Sequence, residues 1–145
     1  MATLAALDIK EQLNPANKFN FYTYGSPRTG NQAFSDYIFS LYPNSSYQRV
    51  VHTNDIVPHL PFIAMGFNHA GEEVWYDNDS NVSEYVVCKN QPGSPENESC
   101  SDTYYVYDPS AHIVYLGMSV VDQCTTNALL ASDWSSMTPS SSSFL

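Results

Sequence analysis

Val50-Val51-His52-Thr53-Asn54-Asp55-Ile56-Val57-Pro58-His59-Leu60-Pro61 runs from β-branched residues through a polar tetrad and is stopped by two prolines. This is the pattern of a buried strand that delivers Asp55 onto a rigid loop. In open α/β sheets, ligands and catalytic groups collect beyond the carboxyl ends of the strands, so a carboxylate placed there is positioned to orient something. The same residues also fit a plainer reading, in which Asp55 closes an Asx-turn ahead of Pro58.

Upstream of this stretch, residues from about Asn31 to Leu41 carry Phe34, Tyr37, Ile38 and Leu41 at the spacing of one apolar helix face, with Pro43 just past the end. Phe19 to Tyr24 is a short aromatic strand, broken by the turn Gly25-Ser26-Pro27. Strand, helix and strand imply a right-handed crossover between parallel neighbours, and hence a piece of an α/β sheet. The chain opens with Leu4, Leu7 and Leu13 among strong helix formers and is halted at Asn14-Pro15. That helix has no capping residue at Met1 or Ala2, so it reads as one already in progress.

Beyond Pro61 the pattern changes. Gly66 to Gly71 reads as a turn region, and Glu73 to Tyr76 with Tyr85 to Cys88 as two strands of an antiparallel ribbon. Lys89 to Asp102 is a loop containing Pro92, Gly93 and Pro95, with Cys88 and Cys100 near its ends. A disulfide there would constrain the chain by roughly 3 kcal/mol, and two free buried thiols are the alternative. Cys124 is left without a partner, and from Thr125 the sequence is a Ser-rich tail that reads as disordered or O-glycosylated. The predicted division is therefore a folded part over residues 1–124 and a tail over 125–145.

Composition narrows the function classes. Five Lys and Arg against 15 Asp and Glu give a net charge of −10, which offers no basic surface for nucleic acid or for anionic membranes. A hydrophobic content of 43% excludes a disordered chain, and no apolar run reaches the length of a membrane span. Asn-x-Ser sequons at Asn44, Asn78, Asn81 and Asn97 point to a secreted glycoprotein, and an oxidising compartment in turn favours the disulfide over free thiols. The first residues nevertheless lack the basic and apolar regions of a signal peptide, a conflict resolved if the true N-terminus lies upstream.

Asp55 and, in a later loop, His112 are the two accessory members of a Ser-His-Asp triad in the chain order Ser, Asp, His. A buried carboxylate fixes the imidazole tautomer, and the imidazole takes the proton from a serine hydroxyl. From spacing alone the signal is weak, since His112 is also readable as a packed histidine. A Gly-x-Ser-x-Gly elbow needs glycines four apart, and the six glycines include no such pair. His52, His59 and His69 lack the His-x-x-x-His spacing of a zinc helix, so no metal or other cofactor is expected.

Taken together, these stretches resemble the class 3 lipases of the α/β-hydrolase fold, a family that includes filamentous-fungal triacylglycerol lipases and feruloyl esterases. Thr23 to Asn31 resembles the segment after the strand that follows the nucleophile helix. Val51 to Pro61 is similar to the loop carrying the catalytic Asp, Gly66 to Tyr76 to the segment after it, and His112 to Gly117 to the catalytic-His segment. In the family a Gly-His-Ser-Leu-Gly-Gly elbow stands just before a helix like Met1 to Asp8. The resemblance thus implies a chain that begins just past its nucleophile.

It also implies the C-terminal half of an α/β-hydrolase sheet, an incomplete domain, with Asp55 and His112 catalytic and Val57 and Leu60 lining the acyl pocket. Cys88 pairs with Cys100 in this reading, and Cys124 pairs with a cysteine of the missing N-terminal half, the expected structural partner. The implied protein is a secreted serine carboxylic-ester hydrolase of lipid catabolism, in the first place a triacylglycerol lipase acting on lipid or other esters at an interface. A feruloyl or small-ester esterase and a non-catalytic binding remnant are the alternatives. This chain alone should hydrolyse little, because serine and oxyanion donors are both absent.

Overall fold

The structure is a computed structural model describing residues 2–13, 19–43, 46–78, 81 and 83–122. Its elements are helix α1 (Ala2–Leu13), strands β1 (Phe21–Tyr24) and β2 (Gly30–Asn31), helix α2 (Gln32–Leu41), strands β3 (Tyr47–His52), β4 (Phe67–Asn68), β5 (Glu72–Tyr76), β6 (Val86–Cys88), β7 (Val114–Tyr115) and β8 (Met118–Ser119). Asn44, Cys124 and the tail from Thr125 lie outside the described residues, and with them the expected Cys124 pairing and the boundary at 124.

The main sheet has the order β1-β3-β5-β6, in which β1, β3 and β5 are parallel and β6 runs antiparallel to β5. The predicted crossover is present: β1, α2 and β3 place Phe21 beside Tyr47 and Tyr24 beside Val50. Asn31 is the N-cap of α2, its side chain accepting the Phe34 N–H at 3.0 Å, which satisfies one donor of the first turn. The apolar face of α2 buries Ile38 among Ala6, Phe21, Tyr42, Tyr47 and Ala70. The Phe21 and Tyr47 rings stack at 4.0 Å between centroids, and the Tyr42 hydroxyl donates to the Ala6 carbonyl at 2.5 Å, tying α1 to this core.

Central strand β3 is buried at Tyr47 and from Arg49 to His52, because side chains alternate between two covered faces. Tyr47 meets the α2 side, whereas Val50 packs with Tyr76 and Tyr115 on the opposite face. Three features differ from the sequence reading. Strand β5 belongs to the parallel sheet as well as to the ribbon with β6, so it joins the two halves of the chain. The turn region around Gly66 contains β4, which pairs antiparallel with β2; strands of two residues leave no periodicity to read. The aromatic strand begins at Phe21, two residues later than predicted. Cys88 and Cys100 are disulfide-bonded, closing the late loop. Among the described residues no helix is long and apolar enough to cross a membrane.

Candidate active site

Strand β3 ends at His52, and the chain turns at Thr53, whose φ is +40°. Thr53 is held from both sides: its N–H donates to the Tyr76 carbonyl at 2.9 Å, and its carbonyl accepts the Trp75 indole N–H at 2.9 Å. Asp55 follows in this turn, fully buried. Its Oδ1 accepts the Val57 N–H at 2.8 Å, which is the Asx-type turn of the plainer reading. Its Oδ2 faces the other way and accepts from the His112 ring Nδ1 at 2.8 Å. One oxygen thus shapes the turn while the other meets His112.

His112 arrives on a short 3₁₀ turn, Pro109–Ile113, that Asp108 caps by accepting the Ser110 N–H at 2.8 Å. This turn is fastened to the acid loop where the Asp108 N–H donates to the Asn54 carbonyl at 3.0 Å. Buried His52 stacks on Tyr76 and donates from Nδ1 to the Ala111 carbonyl at 2.9 Å, fixing the residue before His112. The His112 side chain is 38% exposed while Asp55 is fully buried. One ring nitrogen is therefore committed to a carboxylate inside, and the ring as a whole remains within reach from outside.

Two contributors escaped the sequence reading. The Tyr115 hydroxyl donates to Asp55 Oδ2 at 2.6 Å, giving the carboxylate a second side-chain donor. Burial first, and then the hydrogen bond to Asp55, push the Tyr115 phenol well above its ordinary range, so the proton stays on the tyrosine. Gly25 lies directly beneath the pair: a Cβ there would sit 2.8 Å from His112 Cε1 and from the Tyr115 hydroxyl, and its φ of +56° is the left-handed region. The sequence marked Gly25 only as a turn, and Tyr115 only as part of an apolar segment.

Val57 and Leu60 lie on the loop after Asp55, each half-buried, with Val57 contributing its N–H to the turn. His59 Nδ1 pairs with Asp102 Oδ1 at 2.7 Å, and buried His69 donates from Nε2 to the Pro58 carbonyl at 2.8 Å. Among the described residues no group of three or more His, Cys, Asp and Glu is arranged to hold a metal ion.

A mixed sheet with a buried carboxylate meeting a part-exposed imidazole beyond the end of a parallel strand defines the class: part of an α/β-hydrolase fold. Comparisons with known proteins agree. The family model of class 3 lipases matches residues 1–65. The chain is 38% identical over 122 residues to a lipase of Rhizomucor miehei, covering 81% of this chain and 32% of that one. It is 36% identical to secreted mono- and diacylglycerol lipase 1 of Fusarium solani, over 79% of this chain and 33% of that protein. The solved structure of lipase II from Rhizopus niveus superposes with a TM-score of 0.71 at 30% identity, covering 81% of this chain and 43% of that one. The chain belongs to the class 3 lipase family. It spans about a third of the length of these curated relatives.

Proposed function

We propose that this chain is the acid–base part of a secreted serine ester hydrolase, in the first place a triacylglycerol lipase, whose attacking hydroxyl lies outside the 145 residues. The observation that carries the reading is the 2.8 Å contact between His112 Nδ1 and Asp55 Oδ2, made by residues 57 positions apart. With Nδ1–H donated to the carboxylate, Nε2 is the nitrogen left with a lone pair, the form a general base requires. In the reaction His112 takes the hydroxyl proton as the acyl carbon is attacked, Asp55 stabilises the resulting imidazolium, and His112 returns the proton to the departing alcohol. Val57 and Leu60, on the same loop, line the acyl side of this centre, and Tyr115 holds Asp55 in register.

A secreted destination is supported by the Cys88–Cys100 disulfide, by exposed sequon asparagines Asn78 and Asn81, and by relatives named as secreted lipases. The expected structural partner is an upstream half that supplies the nucleophile and the oxyanion donors and bonds to Cys124. Glycerides rank ahead of feruloyl esters as substrates because the relatives are named lipases and mono- and diacylglycerol lipases.

The test extends the reading frame upstream and compares the extended protein with the chain alone on a triglyceride and on methyl ferulate. The chain alone should turn over neither. In the extended protein, His112→Ala should lower turnover by about a millionfold and Asp55→Asn by about ten-thousandfold, on the pattern of other triads. Ester turnover by the chain alone, or full activity of the His112→Ala protein, overturns the reading. Preference for methyl ferulate would make it an esterase of the same family.

A further inference from the structure

The loop that follows Asp55 is held from outside, and the residue that holds it belongs to neither catalytic segment. Four consecutive carbonyls, from Pro58 to Pro61, accept hydrogen bonds from two buried residues, Arg28 and His69. Arg28 Nη1 donates to the His59 carbonyl at 2.6 Å and to the Pro61 carbonyl at 3.1 Å. The Arg28 backbone N–H donates to the Leu60 carbonyl at 2.8 Å, and His69 Nε2 to the Pro58 carbonyl at 2.8 Å. A hydrogen-bonded path then leads back to the carboxylate: Leu60 N–H to the Val57 carbonyl, His59 N–H to the Ile56 carbonyl, and Val57 N–H to Asp55 Oδ1.

Arg28 is buried, and a buried guanidinium keeps one orientation only when its remaining donors are matched to a counter-charge. Glu96 provides the match in bidentate form, Oε1 with Nε at 2.8 Å and Oε2 with Nη2 at 2.9 Å. The same Glu96 Oε1 accepts the His69 N–H at 2.5 Å, so one carboxylate orients both holders of the loop. Asp102 lies 3.6 Å from Arg28 Nη2 and engages His59 directly. Glu96 and Asp102 come from the loop closed by the Cys88–Cys100 disulfide and from the turn just after it.

We propose that Arg28, oriented by Glu96, is a positioning residue: it fixes the loop after Asp55 so that the carboxylate faces His112, and the disulfide-closed loop exists in part to deliver Glu96 to it. This rests on the reading of Asp55 and His112 as the acid–base pair. Neither Arg28 nor Glu96 touches that pair, and neither would meet substrate. A Lys at position 28 would keep the charge but could not serve two carbonyls and a carboxylate in one plane.

The experiment uses the intact 145-residue chain, unaltered and as Glu96→Ala, Glu96→Gln and Arg28→Lys. Two readouts are followed: amide hydrogen exchange of Val57, His59 and Leu60, the residues within 57–60 that carry an amide hydrogen, and the ring N–H of His112 in histidine-selective ¹⁵N spectra, identified by its loss in Asp55→Ala. Glu96→Ala and Arg28→Lys should speed exchange of residues 57–60 by about tenfold and broaden the His112 signal, while Val50 and Val51 in β3 keep their protection. Glu96→Gln retains an acceptor of the same shape and should fall between. Unchanged loop exchange and an intact His112 signal in Glu96→Ala overturn the proposal. Equal loss of protection in β3 and the loop in all three variants overturns it too, since Glu96 and Arg28 would then be general stabilisers. Absence of the His112 signal from the unaltered chain instead counts against the acid–base reading itself, and loop exchange still decides whether Arg28 clamps the loop.

Discussion

Asp55 shows how much one side chain carries here. Its two oxygens divide the work: Oδ1 shapes its own turn through the Val57 N–H, and Oδ2 collects His112 and Tyr115. The ring of His112 can lie where it does only because position 25 has no side chain. Gly25→Ala would press a methyl against His112 and the Tyr115 hydroxyl and demand a left-handed backbone from a residue that disfavours it. The expected outcome is a loss of about 2–4 kcal/mol in urea unfolding, from strain and overpacking together, along with loss of the His112 to Asp55 contact. Stability unchanged within about 0.5 kcal/mol would mean that the turn relaxes freely, against this account. Asp55 and His112 were legible in the sequence because a strand ending in a polar tetrad, and a polar turn ahead of an apolar segment, are local signals. Gly25, Tyr115 and Arg28 were not, since their roles depend on which residues from elsewhere come to rest against them.

At the level of elements, the strand–helix–strand unit was readable from periodicity and from the glycine and prolines that punctuate it. The structure adds how each element is pinned. Helix α2 starts at an Asn31 cap whose side chain takes the Phe34 N–H. Asn31→Ala should therefore lower thermal and chemical stability by about 1 kcal/mol without altering the Asp55–His112 contact, measurable by urea titration. A loss from Asn31→Ala of less than about 0.3 kcal/mol would show that the side-chain bond is not what holds the helix start. Strand β5 is the element the sequence described least completely. Glu73 to Tyr76 was recognised as a strand, but its parallel register with β3, Val50 beside Val74 and His52 beside Tyr76, is set by packing across the sheet. That register puts Tyr76 under His52 and brings its hydroxyl to the Leu116 N–H at 2.7 Å, which steadies the segment after His112.

The whole molecule carries an acidic surface over a buried ionic centre, and this gives its stability a direction with pH. Burial, and after it the charges of Arg49 and Arg28, hold His69 well below the ordinary histidine value of 6.5, so it is neutral in the fold. Below about pH 6.5 the unfolded chain takes a proton that the folded chain refuses, and stability falls as pH drops from there. Asp102 has the same sign at lower pH. Burial opposes its ionisation, but the His59 hydrogen bond and the neighbouring arginines win and hold it below the usual 3.8, so its contribution is lost as pH falls through that region. Urea unfolding across the acid range should show the first decline flattened in His69→Gln; an identical decline in that variant would assign it to other groups. By itself the sequence determined the α/β class, the strand that delivers Asp55, the acidic surface and the family, because hydrophobic period, proline punctuation and charge are written locally. Only the tertiary structure decided that His112 meets Asp55, that Tyr115 and Gly25 complete the pair, and that Arg28 holds three carbonyls of the loop while paired with a carboxylate 68 positions away. Such contacts arise where the folded chain returns to itself, and no local pattern records that return.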